Sequence, residues 1–337
     1  MHEDHVLWFQ HEYGIWQDND KFISMLKSID IKKVVSLHSV HFQSGETPYG
    51  LRRYEYLFLK SLLPNVDAIT VFTDGVYEAV TRALPEFADK VYVLRHGMHL
   101  YPEVALSSRS EAREQINNFL INESELADSM KNRLRQQRIF LDKDTILIGG
   151  SGFITTNKGI EPIFEACNRL KQMLPDKRIA AVFAGCVREA DNVIDNEFVA
   201  KVKAKYNSDS HFLIDTYLPG DVLPVMLRSI DIHFYWPSDC SQSGIIAHAL
   251  GTGAVPACRD MEGVGETVKR AGGLVHYDFE HLINSVRDLI LDSDKRKQMS
   301  KSAIKYAEDF SWRNQVLKHF DLADDIFARR SQRLVRV

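Results

Sequence analysis

Gly149-Gly150-Ser151-Gly152-Phe153-Ile154-Thr155-Thr156-Asn157-Lys158-Gly159 stands between an apolar run, Thr145 to Ile148, and a segment with a helical repeat. In that segment Ile160, Ile163, Phe164, Cys167 and Leu170 share one face. The apolar run has the character of a buried parallel strand. A glycine-rich turn from strand to helix lets backbone N–H groups converge on an anion at the helix N-terminus, and Lys158 adds a positive charge beside them. The stretch is neither a Walker loop nor the dinucleotide fingerprint, because its spacing and closing residues differ. Taken alone it also fits an ordinary tight turn.

The same alternation continues on both sides. Downstream, Ile179 to Phe183, His211 to Ile214, Ile232 to Tyr235, Ala254 to Ala257 and Gly273 to Val275 are further strand candidates, most of them separated by helical stretches. Together with the run at Thr145 they predict a complete doubly wound unit. Upstream, Val6 to Phe9, Lys33 to Leu37, Ala68 to Phe72 and Val91 to Leu94 form a second βαβ rhythm, with a helix expected from Tyr49 to Leu63. Ser108 to Gln137 is strongly polar and predicts exposed helices. The tail from Lys301 to Arg336 is helical, and Ser311 suits the N-cap of a last helix beginning near Trp312.

These elements predict an α/β protein with two Rossmann-like domains facing a cleft. The expected boundaries are an N-terminal domain at 1–142, a C-terminal domain at 143–309 and a helix at 310–337 packing back across both. The first domain reads as shortened, since it opens almost directly on Val6-Leu7-Trp8-Phe9. Its sheet edge is then a place for a protein partner or a second copy of the chain.

Composition narrows the classes. A formal net charge of -4 argues against general nucleic-acid binding. Hydrophobic residues at 45% and charged residues at 26% suit a soluble globular protein. Cys167, Cys186, Cys240 and Cys258 lie far apart and form no CxxC pair, so they read as reduced thiols. No run approaches the roughly 20 apolar residues that span a bilayer. Met1-His2-Glu3-Asp4-His5 lacks the basic start and apolar segment of a signal peptide. A cytoplasmic protein is expected, with peripheral association at the inner face of a membrane left open.

Polar residues cluster where strands meet loops, the favoured place for function in such sheets. His38 follows the second strand and His41 lies in the loop after it, which contains Gly45 and Gly50. Each imidazole can position a hydroxyl or carry a proton, or be a loop histidine only. A zinc site from this pair lacks a third ligand, and no metal is expected. Glu12, after the first strand, can accept from substrate hydroxyls or make a salt bridge. In the later unit, Ser238 to Gly244 leads into Ile245 to Leu250 and offers a second anion cradle, with Gln242, Ser243 and Gly244 as candidates; a plain N-cap is the alternative. Cys240 has no histidine partner evident and reads as structural. Glu266 can accept from sugar or ribose hydroxyls or be an exposed loop carboxylate. Arg259 can balance a diphosphate or pair with Asp260 or Glu262.

In order and spacing these pieces resemble the retaining GT-B glycosyltransferases of family 4, from about Val6 to Trp312. The resemblance rests on Lys158-Gly159, Phe183-Ala184-Gly185, Tyr217-Leu218-Pro219, Gln242-Ser243-Gly244, Gly253-Ala254-Val255-Pro256 and Gly265-Glu266. It implies a nucleotide-diphosphate sugar as donor substrate, no obligatory cofactor, and transfer to a glycan, lipid-linked or small-molecule hydroxyl. Gly150, Ser151, Gly152, Phe153, Lys158, Gln242, Ser243, Gly244, His248, Arg259 and Glu266 would then bind the donor. His38, Lys158 and Glu266 would serve catalysis, with Glu12 and His41 on the acceptor side. Three positions depart from the family: Phe153 stands where an arginine is usual, and Cys240 and His248 replace the two glutamates of the E-x7-E pattern. These departures also fit a catalytically silent subunit that binds nucleotide-sugar or stabilises a partner.

Overall fold

The computed structural model describes residues 5–16, 18–189 and 191–334. Met1–Asp4, used in the signal-peptide argument, and 335–337 of the expected tail lie outside the described residues. The strands are β1 (Val6–His11), β2 (Lys32–Leu37), β3 (Ala68–Val71), β4 (Val91–Val93), β5 (Thr145–Ser151), β6 (Arg178–Gly185), β7 (His211–Asp215), β8 (Ile232–Tyr235), β9 (Pro256–Arg259) and β10 (Leu274–His276). Helices α1 (Asn19–Lys27), α2 (Arg53–Leu62), α3 (Asp74–Ala83), α4 (Pro102–Leu106), α5 (Arg109–Asn118) and α6 (Asp128–Gln137) precede β5. After it come α7 (Ile160–Met173), α8 (Val193–Lys205), α9 (Val222–Ser229), α10 (Gly244–Gly251), α11 (Glu262–Arg270), α12 (Phe279–Leu291), α13 (Ser293–Asp309) and α14 (Trp312–Leu334).

The chain divides into two compact units. The first gathers residues up to Gly97, Met261–Thr267 and the stretch from Phe310; the second holds Met98–Asp260 and Val268–Asp309. The chain therefore changes unit at Gly97 and not at the expected 142. Buried apolar residues explain the difference. Ile116, Leu120, Leu126, Leu134, Ile139 and Phe140 join one core with Leu147, Val182, Phe212 and Ile214 of the second sheet. Arg113, almost fully buried, donates to the carbonyls of Thr145 and Ser229 and pairs with Asp231. Abundant charges in this segment mask the few large side chains that anchor it.

In the first unit β1-β2-β3-β4 lie in that order, all parallel. Successive strand residues point to opposite faces. Val35, Ile69 and Val71 accordingly pack with Phe22, Leu26, Phe58 and Leu62 of α1 and α2. Val34 and Ala68 turn the other way, onto Leu322 and Ile326 of α14. Ser311 caps α14 as expected, its hydroxyl accepting the Asn314 N–H at 3.4 Å.

The second unit is a six-stranded sheet in the order β10-β9-β8-β5-β6-β7, again parallel. β5 is the reversal point: the chain runs outward through β6 and β7, then returns to lay β8 on the other side of β5. At such a point two helix N-termini diverge from neighbouring strands and leave space for a ligand. Here those helices are α7 and α10. β5 continues to Ser151 because Gly149 and Gly150 still pair with Val182 and Phe183.

Candidate functional site

At this reversal point the second unit holds a cavity of about 270 Å³. Ser151, Gly152, Phe153 and Lys158 line it from the turn after β5, and Gly185 and Cys186 from the end of β6. Tyr217 and Leu218 add an apolar wall after β7, with Leu223 of α9 beside them. Gly244, Ile245 and His248 of α10 complete the lining.

Backbone packing shapes the turn. The Gly152 N–H donates to the Ala184 carbonyl at 3.1 Å, and a Cβ on Gly185 would fall 1.8 Å from the Gly152 oxygen. The turn can therefore lie against β6 only because Gly185 has no side chain. Gly159 caps α7 at φ 73°, where a Cβ would fall 2.1 Å from the Trp236 carbonyl oxygen. That contact, with the Ser238 N–H donating to Asn157 at 3.1 Å, draws the start of α7 against the end of β8. Ser243 caps α10: its hydroxyl accepts the Ile246 N–H at 3.4 Å and donates to Tyr235 at 3.2 Å.

Six of the expected donor-side residues thus meet in one cavity: Ser151, Gly152, Phe153, Lys158, Gly244 and His248. Gly150 lies below it, lining a small apolar void with Gly149 and Ile163. Gln242 and Ser243 form the turn into α10, where the Gln242 backbone carbonyl accepts from the Cys240 thiol at 3.0 Å and the Ser243 hydroxyl caps the helix. Arg259 donates to the Pro237 carbonyl at 3.1 Å and stacks over Trp236, in place of the expected pairing with Asp260 or Glu262. Burial pushes the Cys240 and Cys186 thiols up, which disfavours the thiolate form of both. Sequence reasoning did not place Cys186, Tyr217, Leu218, Leu223 or Ile245 in the site. Their shared signal was position at or just beyond a strand end or helix start, to which Tyr217 and Leu218 add their place in a quoted motif.

The remaining candidates belong to the first unit. His38 Nε2 bonds the Gln10 side-chain oxygen at 2.7 Å, and burial holds the imidazole below its ordinary pKa against the pull of Glu12. Glu12 accepts the Ser39 hydroxyl at 2.6 Å. His41 is not an open loop residue. Its Nδ1 pairs at 2.6 Å with the fully buried Glu55. Burial alone would lower its pKa, but the hydrogen bond and charge of Glu55 outweigh burial and raise it. Glu266 is likewise no exposed loop carboxylate. Its oxygens accept the Asp74 and Gly75 N–H groups at 3.0 Å each, at the start of α3, and pair with Arg95 at 2.9 Å. One helical turn earlier, Glu262 accepts the N–H groups of Phe42 and Gln43 at 2.7 and 3.1 Å. Its φ of 46° is uncommon for a side-chain-bearing residue, and a third bond, from its own N–H to Gln43, holds it there.

Among the described residues no group of three or more His, Cys, Asp or Glu is placed to hold a metal ion, and no helix is long and apolar enough to cross a membrane.

No protein-family model matches the chain. A Bacillus subtilis (strain 168) protein named "Putative glycosyltransferase YtcC" is 23% identical over 287 residues, 82% of this chain and 63% of that protein. The chain thus spans less than two thirds of that relative's length. Among solved structures, a UDP-forming α,α-trehalose-phosphate synthase from Burkholderia xenovorans matches with a TM-score of 0.70 at 14% identity, over 97% of this chain and 75% of that one. The sucrose-phosphate synthase of Thermosynechococcus elongatus matches with a TM-score of 0.68 at 15% identity, over 96% and 74%. This likeness establishes two Rossmann-like units of the GT-B glycosyltransferase fold. It also corrects the expected membership of family 4, because the matched structures are trehalose- and sucrose-phosphate synthases, like family 20. The quoted motifs follow strand ends that the fold itself requires. Phe153, Cys240 and His248, at the discriminating positions, depart from the family 4 pattern.

Proposed function

We propose that the chain is a retaining glycosyltransferase that moves a sugar from a nucleotide-diphosphate donor to an acceptor hydroxyl. The observation that carries this is the second-unit cavity, where Lys158, the turn at Ser151–Phe153 and the N-terminus of α10 face one space beside Tyr217 and Leu218. A cation and helix-start N–H groups suit a diphosphate, and the apolar wall suits a base. The UDP-forming activity in the name of the Burkholderia xenovorans synthase makes uridine the first nucleotide to test.

In this reading the bond between anomeric carbon and diphosphate oxygen breaks as Lys158 and the amides take up the leaving charge. The acceptor oxygen forms the new bond on the same face, and its proton passes to a diphosphate oxygen. No protein nucleophile or divalent cation is required. Glu12 and His38, at strand ends of the first unit, are assigned to the acceptor or to the transferred sugar. His38 is suited to this as an imidazole whose pKa is lowered by burial, since a neutral ring can accept a hydrogen bond from a hydroxyl and orient it. His41 and Glu266 are assigned to holding first-unit loops and not to substrate.

Calorimetry with UDP, GDP and ADP, followed by transfer assays from the matching nucleotide-sugars to a panel of sugar and sugar-phosphate acceptors, tests the proposal. Binding with transfer supports it. Binding without transfer by any donor favours a silent subunit that binds nucleotide-sugar, and failure to bind any nucleotide rejects the transferase and leaves a silent subunit that stabilises a partner.

A further inference from the structure

We infer that Tyr101 and His99 are positioning residues that fix His248 at the cavity wall as a hydrogen-bond donor through Nε2, so that this wall recognises an acceptor oxygen of the bound nucleotide. The inference rests on the proposed nucleotide site and adds two residues that no motif marked.

His248 stands four residues after Gly244 on the same face of α10, and both line the cavity. A histidine side chain on an eight-residue helix is ordinarily free to rotate about two torsions. Here the segment His99–Tyr101 removes that freedom. The His99 ring lies face to face with His248, centroids 3.8 Å apart and planes within 7°. The Tyr101 hydroxyl meets His248 Nδ1 at 2.5 Å. One contact sets the ring plane and the other its rotation within that plane.

The segment is held on α10 by the backbone as well. The His99 N–H donates to the Ala247 carbonyl at 3.3 Å. Gly251 makes this approach feasible, because a Cβ there would fall 1.7 Å from the His99 oxygen. The stack and the hydroxyl contact therefore follow from a close backbone crossing, and not from two exposed rings meeting by chance.

The proton assignment follows from the partners. A phenol O–H is a strong donor and its oxygen a weak acceptor, whereas a bare imidazole nitrogen is a strong acceptor, so the favoured pairing across the 2.5 Å contact has Tyr101 donating to Nδ1. A neutral imidazole carries one N–H and one acceptor nitrogen. With Nδ1 accepting from Tyr101, the ring proton belongs on Nε2. His99 is pushed below its ordinary pKa by burial and stacks as a neutral ring. A carboxylate at this place would accept hydrogen bonds only; His248 in this tautomer donates.

The test uses the full chain labelled with 15N-histidine at pH 8, with the His248 signals assigned by their loss in His248→Gln. The parent should show His248 protonated at Nε2 and bare at Nδ1. Tyr101→Phe, which removes only the hydroxyl, should mix the tautomers and weaken UDP binding about five- to tenfold, the share of one modest hydrogen bond. A proton on Nδ1 in the parent overturns the inference. So does a Tyr101→Phe chain with unchanged tautomer and unchanged UDP affinity. Should the parent bind none of UDP, GDP and ADP, the ligand assignment falls together with the proposed function. The tautomer, read without ligand, decides the positioning role separately.

Discussion

Lys158 and His248 line one cavity, the first from the turn that follows β5 and the second from the second turn of α10. Lys158 is half-buried and its chain neighbours carry the packing, so its charge can be removed without opening the core. Lys158→Ala should cut sugar transfer by about 100-fold or more, the scale of one lost charge-stabilising group in a transition state. The melting temperature should stay within about 2 °C, a change under about 1 kcal/mol for a chain of this size. Equal transfer rates in parent and variant would remove Lys158 from the mechanism.

His38 should behave differently. In His38→Ala, turnover should fall at least about tenfold, the scale of one lost hydrogen bond that orients the reacting hydroxyl. UDP affinity should change less than about twofold, because the loss is confined to the transition state. Parallel losses of affinity and turnover would instead place His38 on the nucleotide side.

Glu266 separates a structural from a substrate role. Glu266→Ala leaves the Asp74 and Gly75 amides without their carboxylate, while Arg95 keeps its pairing with Asp74, at an expected loss of about 1–3 kcal/mol. Hydrogen exchange at the start of α3 should accelerate while UDP affinity is retained. If affinity collapses and exchange does not change, Glu266 contacts the donor after all.

The buried His41–Glu55 pair makes a signed pH prediction. The folded pKa of His41 is raised above its ordinary 6.5, so protonation favours the folded state. That stabilisation is complete below about pH 6.5 and is lost as pH rises through the folded pKa. His41→Gln should therefore be less stable than the parent by about 3 kcal/mol near pH 6, as for a buried pair that loses one partner. The gap should narrow towards pH 9. Denaturant titrations across that range measure it, and a gap that widens with pH would contradict the raised pKa.

Gly159→Ala should destabilise the second unit by about 2–4 kcal/mol. It adds a left-handed φ penalty to a clash with the Trp236 carbonyl. Gly14→Ala, where a Cβ meets nothing within 4 Å, should stay within about 0.5 kcal/mol in the same urea titration.

The βαβ rhythm and the strands were legible in the sequence because each strand is a short apolar run closed by glycine or a polar turn. Burial on both sheet faces makes such runs nearly continuous, as in Ile179 to Phe183. The glycine-rich turn with its lysine before α7 was also legible, since its composition and its place between strand and helix are local features. The membership of Ser108–Gln137 was hidden by its charges, because Arg113, Ile116 and Leu120 reveal themselves only against β5 to β7.

Sequence by itself determined which segments become strands and helices, and which turns carry glycines and a cation between them. Those properties depend on spacing within a few residues. Only the tertiary structure decided that β8 returns beside β5 and brings Gly244 and His248 to Lys158. Only it decided that His41 and Glu266 are committed to protein partners and that His99 and Tyr101 orient His248. Strand order and side-chain pairing join residues far apart along the chain, and the free energy that selects them comes from packing whole elements together, which no local pattern contains.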